Sequence, residues 1–468
     1  MKIIQICTEF APIAKVGGLA DVVYGLTKEL VETGVEVEVY LPKYSFINSL
    51  PSNEIKTYKF KFGNRTHLIT SLSVDFKGIK VNLVDSSTPL FHRTSPYSKT
   101  PQTDIDSFLF FCRATLEILA TKKETILLHL HDWPTAIIPQ LLKTHFPNLA
   151  RGSLLTIHNL EFQGICTKKD LAQIDILPTK EMADIEQPLK FNMLKSGIQL
   201  CSKLTTVSNS YANEIQTSQY GWWLQDVIKE NNYKLHGIVN GLDSLYWNPL
   251  VDKYLHTPFS PHMPTSELLQ AKHHNKRALQ KQLGFPISHK PLIISVTRLT
   301  SQKGPDLILH AMKLAKKLDY QFVLLGSEST PKMKMMFDKL EKQDNIFIDY
   351  TYNEPLAHLC FGSADAILIP SIFEPCGLTQ LIAMRYGTIP IARKTGGLQD
   401  TISDLETGFL FNDPDEAAID WVMHRAMNYF SNYPESWEKI ARNGLKIDSS
   451  WKLPAQQYTA LYQEIILS

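Results

Sequence analysis

Short apolar runs alternate with longer amphipathic stretches through most of this chain. "KIIQIC" (2–7) comes first, then a loop with Pro12, a Gly17–Gly18 pair and a helical pattern that ends near Thr33. Gly34 stands just past that end as a natural C′ residue. "VEVEVYL" (35–41) alternates strictly, which predicts a strand. Strand, loop, helix, strand is the opening of a parallel α/β sheet. "TILLHLH" (125–131), "GSLLTIH" (152–158) and "KLTTVS" (203–208) predict further strands, each leading into a polar loop and a helical pattern.

The rhythm breaks after "GIVNGLDSLYWNP" (237–249). Pro258, Pro261 and Pro264 make 256–264 a poor place for regular structure. A domain boundary is expected near Asn240–Pro249. The α/β pattern then restarts with "PLIISVTR" (291–298), a helix at "PDLILHAMKLAKKL" (305–318), and strands at "YQFVLLGS" (320–327), "ADAILIPS" (364–371) and "IPIARKTGG" (389–397). The expectation is two Rossmann-like, doubly wound domains, 1–243 and 244–450. "PAQQYTALYQEIIL" (454–467), within a final segment 451–468, reads as an amphipathic helix beyond the sheets.

Length agrees, since 468 residues are too many for one core. A net charge of +1 gives no field to recruit nucleic acid or a membrane surface. No apolar run reaches the roughly 18 residues of a membrane helix, and the N-terminus reads as a first strand rather than a signal peptide. The six cysteines are scattered without a Cys-x-x-Cys pair, which favours a reducing cytoplasm and argues against structural zinc.

One string occurs twice, "KVGGLADVV" (15–23) and "KTGGLQDTI" (394–402). A Gly-Gly between strand and helix lets backbone N–H groups approach an anion and aims a helix N-terminus at it. It also serves as a tight turn without a ligand. Neither copy is a dinucleotide fingerprint or a P-loop. In "SVTRLTSQKGPD" (295–306), Arg298 and Lys303 follow a strand, where open α/β sheets bind ligands. Arg offers phosphate a bidentate fork and Lys a point charge; a solvated basic loop is the alternative. "LIPSIFEPCGLTQLIAMRYG" (368–387) puts Glu374 and a Pro375–Cys376–Gly377 turn before a helix that starts near Leu378 or Thr379. A sugar can donate to that carboxylate and accept from the free N–H groups, or Glu374 can simply cap the helix. "HLHDWP" (129–134) and "TIHNLEFQG" (156–164) gather His129, His131, Asp132, Trp133, His158 and Asn159 at strand ends. His-x-His on a strand places both rings on one face, either for a metal or as packed, hydrogen-bonded imidazoles. No third ligand is spaced to complete a zinc site.

These stretches, with "TTVSNSYANEI" (205–215), "GIVNGLD" and "YWNP", occur in one order across nearly the whole chain. The pattern resembles bacterial glycogen synthases and plant starch synthases, the family-five glycosyltransferases. The resemblance implies a GT-B type fold, two Rossmann-like domains facing across an active-site cleft, with the last helix crossing back to the first domain. It implies transfer of glucose from ADP-glucose to the non-reducing 4-OH of an α-1,4-glucan such as glycogen, with retention and with neither metal nor cofactor. Arg298 and Lys303 would hold the donor diphosphate. Lys15 and the Gly17–Gly18 turn would close on it from the other domain. Glu374 with the Cys376–Gly377 backbone would bind the donor glucose, and His158 would sit near the reacting carbon. Thr379 would cap the helix facing the diphosphate, and Tyr352 would stack on adenine. Tyr97, Asp132, Asn159 and Asn240 look like pocket or acceptor-side residues.

The chain departs from related patterns in three places. Ile382 stands where other retaining transferases carry a second Glu after Glu374, Glu328 falls in a stretch that tends to be small, and Trp222–Trp223 replace a Gly-rich stretch. Double displacement needs a carboxylate nucleophile near C1. The chain offers no convincing one, so same-face attack is expected. A glucan phosphorylase and a catalytically silent glucan-binding protein are the alternative readings.

Overall fold

The computed structural model describes all residues except Met1, Asn48, Ser49, Ser52, Glu328, Ser329, Glu341, Lys342, Tyr352 and Ser468. The chain divides into two compact units. The first comprises Met1–Gly241 with Trp451–Ser468, and the second Leu242–Ser450. Among the described residues no helix is long and apolar enough to cross a membrane.

The sheet of the first unit has nine strands among the described residues. Their order is Leu235–Gly237, Lys203–Thr206, Ala150–Ile157, Ile126–His131, Lys2–Ile6, Val37–Pro42, Ile79–Ser86, Arg65–Phe76 and Glu54–Phe62. The strands from Leu235–Gly237 to Ile79–Ser86 are parallel. Lys2–Ile6 and Ile126–His131 are buried throughout, which is why they read as largely hydrophobic stretches. The last two strands pair antiparallel and form an edge that the hydrophobic pattern did not announce. Helix Gly18–Glu32 ends at Thr33, with Gly34 beyond it at φ 86°.

Val37–Pro42 is buried at every position despite its alternation. Glu38 is inside because Lys2, Lys80 and Lys122 reach it at 3.0, 3.1 and 2.7 Å. Burial opposes its charge, but the lysines prevail and hold the carboxyl down to about 2. Helix Lys452–Leu467 belongs to this unit. Tyr458, Tyr462 and Ile465 pack with Ile3, Leu26 and Trp451. A Cβ on Gly25 would stand 2.0 Å from Trp451 Nε1, so that glycine admits the indole.

The second unit holds a six-stranded parallel sheet among the described residues. Its order is Ile346–Asp349, Gln321–Ser327, Leu292–Arg298, Ala366–Ile369, Ile389–Arg393 and Phe409–Phe411. Residues 256–264 lack helix and strand. Helix Thr265–Gln282 follows; its largely polar sequence gave no apolar periodicity to announce it.

In both sheets the first strand of the unit is flanked by strands that continue the winding in opposite directions. Lys2–Ile6 lies between Val37–Pro42 and Ile126–His131. Leu292–Arg298 lies between Gln321–Ser327 and Ala366–Ile369. Ligands in doubly wound sheets bind beyond the strand ends at such switch points.

Candidate functional site

At the first unit's switch point, the loop after Lys2–Ile6 carries Glu9 and leads to the Gly17–Gly18 turn. Helix Gly18–Glu32 starts at Gly18, with Gly17 as its N-cap residue in extended conformation. The turn's amides face a carboxylate of the chain itself. Glu9 Oε2 accepts from Val16 N at 2.7 Å and Gly17 N at 3.0 Å. Burial raises the Glu9 pKa, against the pull of those N–H groups and of Tyr97. Tyr97 OH also lies 3.1 Å from Thr8 Oγ1. Lys15 is exposed, and its Nζ pairs with Asp21 at 2.7 Å.

Asp132 follows strand Ile126–His131 in the left-handed region, at φ 57°. This sparsely populated conformation is held by the residue's own bonds. Its Oδ1 accepts from His158 N at 2.6 Å and Asn159 N at 3.3 Å, which ties two strand-end loops together. Burial pushes the Asp132 carboxyl up to about 7; the two N–H donors oppose this and Glu9 adds to it. His158 Nε2 lies 3.0 Å from His131 Nδ1, and His131 Nε2 lies 3.1 Å from Gln5 Oε1. Burial drives His158 down to about 3, so its ring is neutral. Asn159 Oδ1 accepts from Glu161 N at 3.1 Å.

The His-x-His pair is packed and hydrogen-bonded. The rings of His129 and His131 lie 4.2 Å apart, and His129 reaches Tyr462 OH and Thr156 Oγ1 at 2.8 and 2.7 Å. Among the described residues no group of three or more His, Cys, Asp or Glu is placed to hold a metal.

At the second unit's switch point, Arg298 ends strand Leu292–Arg298 and Lys303 ends the short 3-10 turn that follows. Gly304 then takes φ 64°, and a Cβ there would stand 2.4 Å from Pro370 O. That close approach seats the Lys303 loop on the segment after Ala366–Ile369. Lys303 Nζ pairs with Glu374 Oε2 at 2.6 Å, and Ser371 Oγ donates to the same oxygen at 2.8 Å. Glu374 is 5% exposed. These bonds displace the helix-cap reading of Glu374.

Helix Thr379–Arg385 begins at Thr379, and Leu378 occupies the N-cap position without a side-chain cap bond. The expected Thr379 cap is therefore corrected: this threonine lies inside the first turn, one residue past the cap position. Gly377 has φ 77°, and Gln380 Nε2 donates to the carbonyls of Cys376 and Gly377 at 3.1 and 2.9 Å. The second Gly-Gly braces this turn. Gly397 N donates to Glu374 O at 3.0 Å, and a Cβ on Gly397 would stand 2.2 Å from Cys376 O.

The structure thus gathers Tyr97 and Gly17 around Glu9, and His158 and Asn159 around Asp132. In the second unit it gathers Lys303, Glu374, Cys376 and Gly377. Asn240 is buried at the end of the first unit, and among the described residues its Oδ1 has no hydrogen-bond partner. Tyr352 and Glu328 lie outside the described residues. The sequence reading missed Glu9, Gln5, Ser371 and the bracing role of Gly397. A carboxylate placed just before a Gly-Gly turn was the available signal for Glu9; the other roles depend on packing.

Comparison with known proteins matches residues 2–230 to the family described as "Starch synthase catalytic domain" and residues 276–444 to "Glycosyl transferases group 1". The chain is 37% identical over 498 residues to a glycogen synthase of Protochlamydia amoebophila, with 99% of each chain covered. Among solved structures, the catalytic domain of starch synthase IV from Arabidopsis thaliana, bound to ADP and acarbose, superposes with a TM-score of 0.92. The two are 35% identical, over 100% of this chain and 99% of that one. A sucrose-phosphate synthase from Thermosynechococcus elongatus shares the fold at a TM-score of 0.65 and 18% identity, over 100% of this chain and 99% of that one.

Proposed function

Because the chain belongs to the family of glycogen and starch synthases, we propose that the residues gathered at its two switch points transfer a glucosyl unit. The protein is a retaining hexosyltransferase. It moves glucose from ADP-glucose to the non-reducing 4-OH of an α-1,4-glucan and releases ADP. The full-length likeness to glycogen synthases carries the reaction class. The Lys303–Glu374 pair, part-buried at a switch point in and beside the loop that follows Arg298, supports the donor assignment.

Breaking the bond from C1 to phosphate builds positive charge on the sugar and negative charge on ADP. Arg298 and Lys303 stabilise the second as preorganised cations. Glu374, anchored by Lys303 and Ser371, accepts from a hydroxyl of the donor glucose. The amides of Cys376 and Gly377, on the turn braced by Gly397, lie on the same segment. In the first unit, neutral His158 is a hydrogen-bonding group at the sugar rather than a second cation beside the forming oxocarbenium. Asp132 sets its position through the backbone.

Same-face attack accounts for retention. The acceptor 4-OH bonds to C1 from the side the diphosphate leaves, and its proton passes to the departing phosphate oxygen. Both candidate carboxylates are engaged, Asp132 by two backbone N–H groups and Glu374 by Lys303 and Ser371, which supports this route over a covalent glucosyl-enzyme. A glucosyl adduct trapped on Asp132 or Glu374 overturns it. The six cysteines, all buried and none in a disulfide, support placement in the cytoplasm.

The deciding assay incubates the protein with ADP-glucose or UDP-glucose and glycogen, without added metal. ADP release in step with chain extension is expected. No extension from either donor overturns the proposal, and preference for UDP-glucose overturns the choice of base.

A further inference from the structure

"YGWWLQD" (220–226) plays no part in the chemistry above. We infer that Trp222 and Trp223, together with Phe162, form an aromatic platform that grips the glucan acceptor beyond its reacting end. This inference rests on the proposed reaction and deepens it, by assigning residues to the acceptor chain.

Two consecutive tryptophans sit in the left-handed region, at φ 45° and 70°. Each departs from the backbone that L side chains prefer, at an energetic cost. Burial does not offset that cost, since Trp222 is 37% and Trp223 57% exposed. Strained backbone that presents large apolar faces to solvent is a mark of binding rather than of folding.

The tip is firmly built. Gly221 N donates to Thr217 O at 2.8 Å, and Leu224 N donates to Gly221 O at 2.7 Å. A Cβ on Gly221 would stand 2.4 Å from Gln225 Cβ, so the turn packs closely against Gln225 where a side chain would not fit. The backbone therefore sets where both indoles stand.

The tip is also continuous with the site. Gln163 Nε2 donates to Trp222 O at 2.8 Å, and Gln163 Oε1 accepts from Asn192 at 2.6 Å. Gln163 lies in the loop that starts at His158 and Asn159, within about 18 Å of His158 by chain length alone. Phe162, its neighbour, is 58% exposed. Uncharged aromatic faces suit a neutral ligand. The C–H faces of glucose rings stack on the electron-rich faces of indoles. A linear α-1,4-glucan repeats such faces, so a longer chain gains contacts that a short one lacks.

The test is the double variant Trp222→Gly/Trp223→Gly, beside Trp222→Phe/Trp223→Phe. Glycine accepts positive φ, so the first variant removes the indoles without adding strain. The expected results are a KM for glycogen at least tenfold higher, a KM for ADP-glucose within twofold of wild type, and substantial recovery in the phenylalanine pair. Calorimetry with maltoheptaose should show matching losses of affinity. An unchanged KM and affinity for glucan overturn the inference. So does a parallel rise in both KM values that phenylalanine fails to reverse, which would mark a structural loop. If the wild type bound maltoheptaose through these tryptophans but transferred no glucose, the proposed reaction would fall and the platform would stand.

Discussion

Lys303 and Glu374 form an ion pair, Nζ to Oε2 at 2.6 Å, with side-chain exposures of 19% and 7%. Under the proposed function both residues bind the donor, so the pair would set stability as well as catalysis. Lys303→Ala leaves a buried carboxylate without its cation, at a cost of roughly 3 kcal/mol. It is also expected to lose at least about tenfold in kcat/KM, since removing one preorganised electrostatic group typically costs about 10²–10³ in rate. The double variant Lys303→Met/Glu374→Gln removes both charges and should regain most of the lost stability, but not the activity. Urea unfolding of the three proteins beside ADP-release kinetics separates the two effects. A double variant as unstable as Lys303→Ala would show that the pair is not the source.

Arg298 stands half-buried at a strand end, where solvent lowers the cost of removing its charge. Arg298→Ala should lose at least about tenfold in kcat/KM, with an unfolding midpoint close to wild type. Turnover near the wild-type level would remove Arg298 from the diphosphate site.

Asp132 provides a pH signature. Burial raises its carboxyl from 3.8 to about 7, so the folded chain holds that proton over a range where the unfolded chain has released it. Its contribution to stability is complete below the unfolded value and is lost as pH rises through about 7. His158, at about 3 when folded, stays neutral in the folded chain across this window, and the proton it takes up on unfolding below 6.5 makes an opposite contribution common to wild type and variant. Asp132→Asn retains an oxygen for the His158 and Asn159 amides and abolishes the titration. Denaturant midpoints at intervals from about pH 4 to pH 8 should decline less in Asp132→Asn than in wild type. Parallel declines would show that this carboxyl titrates normally.

Several parallel strands were legible because a strand buried on both faces reads as a mostly apolar run, as Lys2–Ile6 and the first half of Leu292–Arg298 do. Glu54–Phe62 escaped because its first residues are mostly exposed and lysines punctuate it. The motif residues in loops after strands were legible because polar side chains beside glycines at such ends have few other uses. The internal partners were not. Glu9 against Gly17, and Ser371 against Glu374, meet only once the loops fold, and no spacing encodes that. The twin Gly-Gly strings therefore looked alike and turned out to differ: one lends its amides to Glu9, the other backs the Cys376 turn.

That difference yields a paired prediction. A Cβ on Gly397 would meet Cys376 O at 2.2 Å, Cys376 Cα at 2.4 Å and Cys376 C at 2.6 Å, all backbone atoms that cannot swing aside. Gly397→Ala must therefore displace the turn that presents Glu374 and the Cys376–Gly377 amides. A misplacement of about 1 Å can cost about 10²-fold in rate, and stability should fall as well. Gly17 differs, with extended backbone and, among the described residues, nothing within 4 Å of the place a methyl would take. Gly17→Ala should keep the wild-type unfolding midpoint and still lose activity, because a methyl there would obstruct a ligand close to the backbone. A Gly17→Ala protein that is both stable and fully active would take the first Gly-Gly out of the binding site. A fully active Gly397→Ala would show that the Glu374 turn tolerates the shift its packing forbids.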